Sequence, residues 1–173
     1  MAERINYQKE NDTQMVADHT YRYWMAFNEI QEYDSVLDCA CGYGNGTELM
    51  AYKAGLVLGI DNDDMTIELA KKLHPKAKYE VGDLNKLVLP EADVLVCFET
   101  IEHLENPSNM VSQFKNFEKV IISVPIKPTK HINKYHIHDF TEKQVRSWFK
   151  GRIIKWAKYQ HDGLYLVLCS VKK

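Results

Sequence analysis

One stretch decides the fold of this 173-residue chain: Val36-Leu37-Asp38-Cys39-Ala40-Cys41-Gly42-Tyr43-Gly44-Asn45-Gly46-Thr47. It begins as an apolar run typical of a buried strand and continues through three glycines at alternate positions. Glycines let the backbone approach a ligand closely, and the N-terminus of a following helix points its N–H groups at that ligand. In an open α/β sheet, ligands lie at the carboxyl ends of the strands. The stretch therefore predicts a strand, a ligand-binding turn and a helix.

Short apolar runs bounded by Gly, Asp or Pro recur along the chain and alternate with helical patterns. This alternation predicts a parallel sheet with helices on both faces. The last two strands are joined by a short turn at Asp162-Gly163, which leaves no room for a crossover, so they must be antiparallel. The predicted strands are Ser35–Ala40, Leu56–Asp61, Lys78–Asp83, Asp93–Phe98, Lys119–Pro125, Arg152–Gln160 and Leu164–Val171. The predicted helices are Asp12–Ile30, Asp63–Leu73, Pro107–Phe117 and Thr141–Phe149.

The composition is that of an ordinary globular domain, with 45% hydrophobic and 27% charged residues. The formal net charge of −2 argues against a general nucleic-acid-coating protein, because that class is normally basic. The length is that of one domain, so we expect a single domain over residues 1–173. Within it, residues 1–33 would form an N-terminal helix and cap, and residues 34–173 the core. We expect a monomer or a homodimer.

Compartment is indicated by the cysteines and by the N-terminus. Most of the four cysteines lie in or beside strand-like runs, and Cys39 and Cys41 lack the CxxC spacing of zinc and redox sites. Buried free cysteines are common in a reducing compartment. The segment Met1–Lys9 is polar, unlike a signal peptide, and no apolar run reaches the roughly 20 residues of a membrane span. We expect a cytoplasmic protein without a membrane partner.

Three of the predicted strands carry an aspartate at or near the carboxyl end. Asp61 ends the second strand 19 positions after Gly42, and such a carboxylate accepts hydrogen bonds from ribose hydroxyls. Asp38 lies in the first strand, and Asp83 ends the third. Together with the glycine turn, these residues predict a site for a nucleoside that carries a charged tail.

The motifs VLDCACGYG, GIDNDD, VGDL and DVLVCFETIEHL resemble, in order, those of class I S-adenosylmethionine-dependent methyltransferases. The resemblance covers roughly residues 14 to 171. It implies a Rossmann-like, mostly parallel seven-stranded α/β sheet in the order 3-2-1-4-5-7-6, with strand 7 antiparallel. It also implies methyl transfer from S-adenosylmethionine in a single domain. A nicotinamide dehydrogenase is disfavoured, because the spacing is G-x-G-x-G and the final pair of strands is antiparallel.

The resemblance assigns roles to positions in this chain. Asp38, Gly42 and Gly44 would line the methionine end of the cofactor, and Asp61 would hold the ribose hydroxyls. The stretch His19-Thr20-Tyr21-Arg22-Tyr23 is similar to a His-x-x-Arg-Tyr pattern whose Arg or Tyr closes over the cofactor carboxylate. The full expected cofactor set is Arg22, Tyr23, Asp38, Ala40, Gly42, Gly44, Asp61, Asn62, Asp83, Leu84 and Glu99.

The segment after the fourth strand and the histidine-rich loop after the fifth would overhang the transferred methyl group. If a helix begins there, Glu99, Glu102 and His103 share one face. With one of His136 or His138, and His136 in preference, they would bind a divalent metal as a second cofactor, in a constellation similar to those of small-RNA 2′-O-methyltransferases and of a ubiquinone-pathway O-methyltransferase group. In a metal-free alternative, His103, His136 or His138 is a general base that takes a proton from an acceptor hydroxyl.

The function expected from these observations is methyl transfer to a hydroxyl, in preference to nitrogen, of a small-molecule or sugar-like acceptor. The lysines of the loop after the fifth strand would attract an anionic acceptor. Two alternative functions remain, and each makes its own prediction about partners or site residues. A metal-dependent RNA 2′-O-methyltransferase would require RNA as a partner, against which the net charge argues. A non-catalytic S-adenosylmethionine-binding protein would have no use for histidines above the site.

Overall fold

The computed structural model describes residues 13–173, so the polar segment Met1–Lys9 and the expected helix start at Asp12 lie outside the described residues. Strands and helices alternate through the core, as the apolar runs predict. The strands are β1 Ser35–Cys39, β2 Leu56–Asp61, β3 Lys78–Val81, β4 Val94–Phe98, β5 Lys119–Pro125, β6 Ile153–Gln160 and β7 Tyr165–Val171. The helices are α1 Thr13–Glu29, α2 Asn45–Ala51, α3 Asp64–Leu73, α4 Pro107–Val111 and α5 Glu142–Ser147.

The seven strands form one sheet in the order β3-β2-β1-β4-β5-β7-β6, which confirms the predicted fold class. The strands from β1 to β5 pair in parallel, and β7 pairs antiparallel with both β5 and β6. In the register between β5 and β7, Pro125 lies opposite Tyr165. Because β7 is antiparallel, its first residue lies at the edge of the sheet where β1, β4 and β5 end.

Alternate residues of the central strands pack into two apolar clusters, one on each face of the sheet. Leu37 of β1 and Leu95 of β4 belong to the cluster that holds Phe114 and Phe149. Val36 and Val94, one position earlier, belong to the cluster that holds the α1 residue Ala26. Burial of both faces explains why these strands are nearly continuous apolar runs.

Two helix starts have the signals expected from the sequence. Thr141 caps α5 through a reciprocal capping box with Gln144, and Pro107 occupies the first turn of α4. The prediction of one helix over Pro107–Phe117 is wrong, because α4 ends at Val111 and a separate 3-10 turn covers Phe114–Asn116. Ser112 Oγ donates to the carbonyl oxygen of Asn109, and such local bonds compete with a continuing helix.

Among residues 13–173, no helix is both long and apolar enough to cross a membrane.

Candidate functional site

A cavity of about 320 Å³ opens at the carboxyl ends of β1, β2 and β4, where the glycine turn predicts a ligand. Its walls come from α1, the glycine turn, the segments that follow β2, β3 and β4, the loop after β5 and the β6–β7 hairpin. The residues that line it are Met15, Asp18, His19, Arg22, Tyr23, Ala40, Cys41, Gly42, Tyr43, Asn45, Gly46, Asp61, Asn62, Gly82, Asp83, Leu84, Asn85, Phe98, Glu99, Thr100, His103, Leu104, Asn133, His136, His161 and Tyr165.

In the glycine turn alternate residues have left-handed backbone, and β1 ends one residue earlier than predicted. Ala40 has φ of +58°, and Gly42 and Gly44 have φ of +54° and +85°. Gly44 precedes α2 directly, and a Cβ on it would lie 2.7 Å from the hydroxyl oxygen of Tyr79. A glycine is therefore required at 44 both by conformation and by space.

Asp61 joins the turn to the end of β2. Its Oδ2 accepts a hydrogen bond from the backbone N–H of Gly42 at 3.1 Å, and its Oδ1 accepts from the N–H of Asp63 at 3.2 Å. Asp61 lines the cavity together with Asn62. Asp83 and Leu84 line it from the segment after β3. The ion pair with Lys86 and the N–H of Asn85 lower the pKa of Asp83, which keeps this carboxyl ionised.

Asp38 lies behind the cavity wall and is fully buried. Thr47 Oγ1 donates to its Oδ2 at 2.6 Å, and the Tyr23 hydroxyl donates to its Oδ1 at 3.2 Å. Burial raises the pKa of Asp38 to about 7, although the hydrogen bonds from Thr47 and Tyr23 oppose that shift. Asp38 and Gly44 are absent from the lining of the cavity, so from this position Asp38 braces α1 and α2 against β1.

Arg22 and Glu99 form a buried polar connection across the cavity from α1 to the end of β4. Arg22 Nη1 lies 3.8 Å from Glu99 Oε1, which also accepts a hydrogen bond from Ser123 Oγ at 2.6 Å. Arg22 Nε donates to Gln160 Oε1 at 2.6 Å, and the guanidinium carbon lies 5.0 Å from the centroid of the Tyr165 ring. Burial raises the pKa of Glu99, against the opposing charge of Arg22.

The segment after β4 and the loop after β5 form one hydrogen-bonded wall of the cavity. The carbonyl oxygen of Glu102 accepts from the N–H groups of Ile137 and His138, at 3.0 and 3.2 Å. His103 Nδ1 lies 2.9 Å from the carbonyl oxygen of Tyr135; a carbonyl can only accept, so this nitrogen carries the proton. The loop thus lies beside the end of β4, as the topology predicts.

Within this wall Glu102, His103 and His136 form a cluster, which we call the Glu–His–His group. Each contributes one ligand-type atom, and these atoms all lie within 4.8 Å of one another. The rings of His103 and His136 meet edge to face at 4.6 Å. One carboxylate and two imidazoles suit Mn²⁺, Fe²⁺, Co²⁺ or Zn²⁺, and a partner oxygen on Nδ1 of each ring is the arrangement that metal-binding histidines usually have. The residues therefore fit a divalent metal.

The expectation that Glu99 shares a helical face with Glu102 and His103 is wrong. Glu99 has φ of +47°, and only the 3-10 turn Ile101–His103 follows. The chain turns sharply after β4, with the Glu99 N–H donating to the carbonyl oxygen of Ser123 at 3.1 Å. This turn leaves Glu99 outside the Glu–His–His group and beside Arg22.

His138 also differs from the other two predicted histidines. Its Nε2 donates to the carbonyl oxygen of Leu104 at 2.9 Å, and its ring stacks on Phe140 at 5.5 Å. It is absent from the residues that line the cavity. Its role as a base stays a prediction that this placement does not support.

The β6–β7 hairpin contributes site residues that sequence reasoning missed. His161 Nε2 pairs with Asp18 Oδ2 of α1, and His161 and Tyr165 line the cavity. The signal was present, because an antiparallel β7 beside β5 must begin at the edge where the parallel strands end.

On α1, burial and the charge of Arg22 lower the pKa of the cavity residue His19 to about 4, so this ring is neutral at physiological pH.

Part of the chain matches a known protein family, and several known proteins have similar sequences. Residues 37–119 match the family described as "Methyltransferase domain". A protein of Mycolicibacterium smegmatis named "Probable S-adenosylmethionine-dependent methyltransferase" is 39% identical over 80 residues, which are 45% of this chain and 31% of that protein. The mitochondrial ubiquinone biosynthesis O-methyltransferase of Schizosaccharomyces pombe is 36% identical over 93 residues, 49% of this chain and 33% of that protein. The chain thus spans about a third of the length of these two relatives.

Solved structures share the fold at low sequence identity. Magnesium protoporphyrin IX methyltransferase from Synechocystis PCC 6803, with bound SAH, superimposes with a TM-score of 0.74 at 18% identity. The match covers 100% of this chain and 90% of that chain.

Proposed function

Because this chain carries a class I S-adenosylmethionine-dependent methyltransferase domain, we propose that it methylates a hydroxyl group of a small-molecule or sugar-like acceptor. The methyltransferase domain match and the names of the relatives support the family, the enzyme class and the S-adenosylmethionine cofactor expected from the sequence motifs. The observation that carries the hydroxyl acceptor is the position of His103. Its ring lines the cavity, and Nδ1 is protonated toward Tyr135, so Nε2 is the basic nitrogen. The similarity to ubiquinone biosynthesis O-methyltransferases supports the same class of acceptor.

In the proposed binding mode, the cofactor spans the cavity along the strand ends. Asp61 holds the ribose, while Asn62, Asp83 and Leu84 surround the adenine. The methionine end lies over the turn at Ala40 and Gly42, and the Arg22 guanidinium faces its carboxylate.

The chemical step needs alignment more than activation, since a sulfonium is already a good leaving group. When bound, S-adenosylmethionine would supply its methyl group to the acceptor oxygen, and sulfur would keep the electron pair of the broken carbon–sulfur bond. The hydroxyl proton passes to Nε2 of His103. An imidazole suits this transfer because it titrates near neutral pH.

Calorimetry with S-adenosylhomocysteine tests the cofactor site. We expect the wild-type protein to bind and Asp61→Ala to lose at least about 10-fold in affinity, because a hydrogen bond to a charged group contributes about 1.5–3 kcal/mol. The exposed Asp64 provides the control, Asp64→Ala, which should bind like the wild type. Equal affinity of wild type and Asp61→Ala contradicts the proposed binding mode.

An acceptor screen that follows release of S-adenosylhomocysteine tests the hydroxyl. Phenols, catechols and sugars are compared with amines of matched size. On the best acceptor, His103→Gln should lower kcat at least about 100-fold, as loss of a general base does, without weakening cofactor binding. His131→Gln, at an exposed position of the loop after β5, should leave kcat unchanged. Turnover of amines alone would contradict the hydroxyl assignment.

A second candidate is metal-assisted O-methylation, which the Glu–His–His group favours. Glu102, His103 and His136 would hold the ion, and the ion would supply a positive charge that lowers the pKa of the acceptor hydroxyl. We expect Mn²⁺ to bind the wild-type protein in calorimetry and Glu102→Gln to lose that binding. Glu105→Gln, three positions later and exposed, is the control. Full methyl transfer with chelator and with Glu102→Gln would leave only the metal-free reaction.

A further inference from the structure

Thr129 lies in the loop after β5, outside the sequence motifs that predict the cofactor site. Its side chain is fully buried, and Oγ1 lies 2.6 Å from Nδ1 of His136. His136 is itself buried and lines the cavity. A buried hydroxyl this close to one ring nitrogen fixes the orientation of the imidazole.

Thr129 is in turn held by Asp139. Oδ1 of Asp139 accepts from the backbone N–H of Thr129 at 2.7 Å and from that of Lys130 at 3.2 Å. The N–H of Thr129 lowers the pKa of Asp139, so this carboxyl stays ionised as the loop's anchor. The backbone that presents the Thr129 hydroxyl is therefore fixed by a charged group that lies outside the cavity lining.

We propose that Thr129 is a positioning residue that holds His136 with its proton on Nδ1, so that Nε2 is the basic nitrogen, as in His103. A threonine hydroxyl can accept from Nδ1–H or donate to Nδ1, so the distance alone allows both tautomers. The inference rests on the metal-assisted form of the proposed function, because an ion held by the Glu–His–His group needs a basic Nε2 on both histidines. Tyr135 supplies the equivalent acceptor for His103.

The two imidazole rings are held by hydrogen-bond partners of different kinds. His103 donates to the backbone carbonyl oxygen of residue 135, which is present whatever amino acid occupies that position. His136 bonds to a side-chain hydroxyl, so its tautomer depends on the residue at 129. Only serine among the other small residues provides that hydroxyl in the same place.

The tautomer is read directly from the ring nitrogen resonances of ¹⁵N-histidine-labelled protein, with His136→Asn identifying the His136 signals. We expect the wild type to show Nδ1–H at His136, Thr129→Val to lose that state, and Thr129→Ser to restore it. A wild-type His136 protonated on Nε2 overturns the proposal. So does a Thr129→Val spectrum identical to that of the wild type.

A binding measurement supplies the second readout. Thr129→Val should weaken Mn²⁺ binding about 10- to 100-fold, the usual effect of losing a partner of a ligating histidine, and Thr129→Ser should restore it. Thr66→Val, at a buried threonine of α3, is the control for a lost hydroxyl in the interior. If the wild type binds neither Mn²⁺ nor S-adenosylhomocysteine, the proposed function is contradicted, while the histidine spectra still decide the role of Thr129.

Discussion

The hydroxyl of Tyr23 lies 3.2 Å from Oδ1 of Asp38, so helix α1 is hydrogen-bonded to the strand beneath the cavity. The same tyrosine ring packs edge to face on Phe98 at the end of β4. One side chain therefore joins the N-terminal helix to the ends of the two central strands. Changes to this connection should affect both folding stability and cofactor binding.

Asp38 should make stability depend on pH in a particular direction. Because burial raises its folded pKa to about 7, the folded protein binds more protons than the unfolded chain between about pH 4 and pH 7. The free energy of unfolding then falls as pH rises through that window and levels off above it. Asp38→Asn should remove this part of the slope in urea unfolding at pH 5, 6, 7 and 8. The exposed Asp64→Asn should keep the slope; an unchanged slope in Asp38→Asn would contradict the shift.

Gly46 should tolerate no side chain while Tyr23 is present. A Cβ at 46 would lie 2.3 Å from the Tyr23 ring, so Gly46→Ala should cost about 1–3 kcal/mol of stability through overpacking. It should also weaken binding of S-adenosylhomocysteine. In a Tyr23→Ala background the same change should be neutral or stabilising by up to about 1 kcal/mol, because alanine is the better helix former. Thermal unfolding of the wild type, the two single variants and the double variant measures the coupling energy between positions 23 and 46. If the stability changes of the two single variants simply add in the double variant, the clash is ruled out.

The pair formed by Asp18 and His161 should keep the first turns of α1 over the cavity. Asp18→Asn should increase hydrogen exchange in residues 13–22 and speed dissociation of S-adenosylhomocysteine, because the helix loses a contact with the β6–β7 hairpin. Gln14→Ala is the control, since Gln14 is exposed and bonds to Asp18 within the same helix. Exchange and dissociation rates that match those of the wild type would mean that other contacts hold the helix.

The cysteines should be inert to alkylation in the folded protein. All four are free and buried, and burial raises the pKa of each thiol. The pKa of the Cys169 thiol rises to about 12. Iodoacetamide at pH 8 should label none of them in native protein and all of them in urea, as mass spectrometry would show. Cys41 lines the cavity, so it should be the first to react when the cavity opens. Rapid native labelling of Cys39 would contradict its burial.

The sequence was sufficient for the sheet, because burial on both faces imposes apolar runs that can be read directly. It also placed Asp61 and Asp83 in one cavity, since parallel strands end at one edge, while Asn62 and Leu84 were expected there only from the resemblance to methyltransferases. Local pattern was not sufficient where the chain leaves a strand. Glu99 adopts a left-handed conformation that side-chain spacing does not reveal, so the assumed helical face was wrong.

Contacts between distant segments account for what local patterns do not reveal. Asp38 lies behind the wall of the cavity, where Thr47 and Tyr23 enclose it, and its place in the expected cofactor set stays a prediction. Thr129 carries no motif at all, and its role depends on the fold that places it against His136. Such relationships arise from tertiary packing and have no signature in the spacing of residues along the chain.

The carbonyl of Glu102 has a consequence for protein engineering. Because it accepts hydrogen bonds from two successive residues of the loop after β5, the turn at 101–103 and that loop are held together as one structural unit. A graft of the loop alone from a relative, intended to change the acceptor, would leave both histidines without the register that aligns them. Exchanging the two segments together, with β4 and β5 kept as the frame, is the smallest replacement that preserves the wall of the cavity.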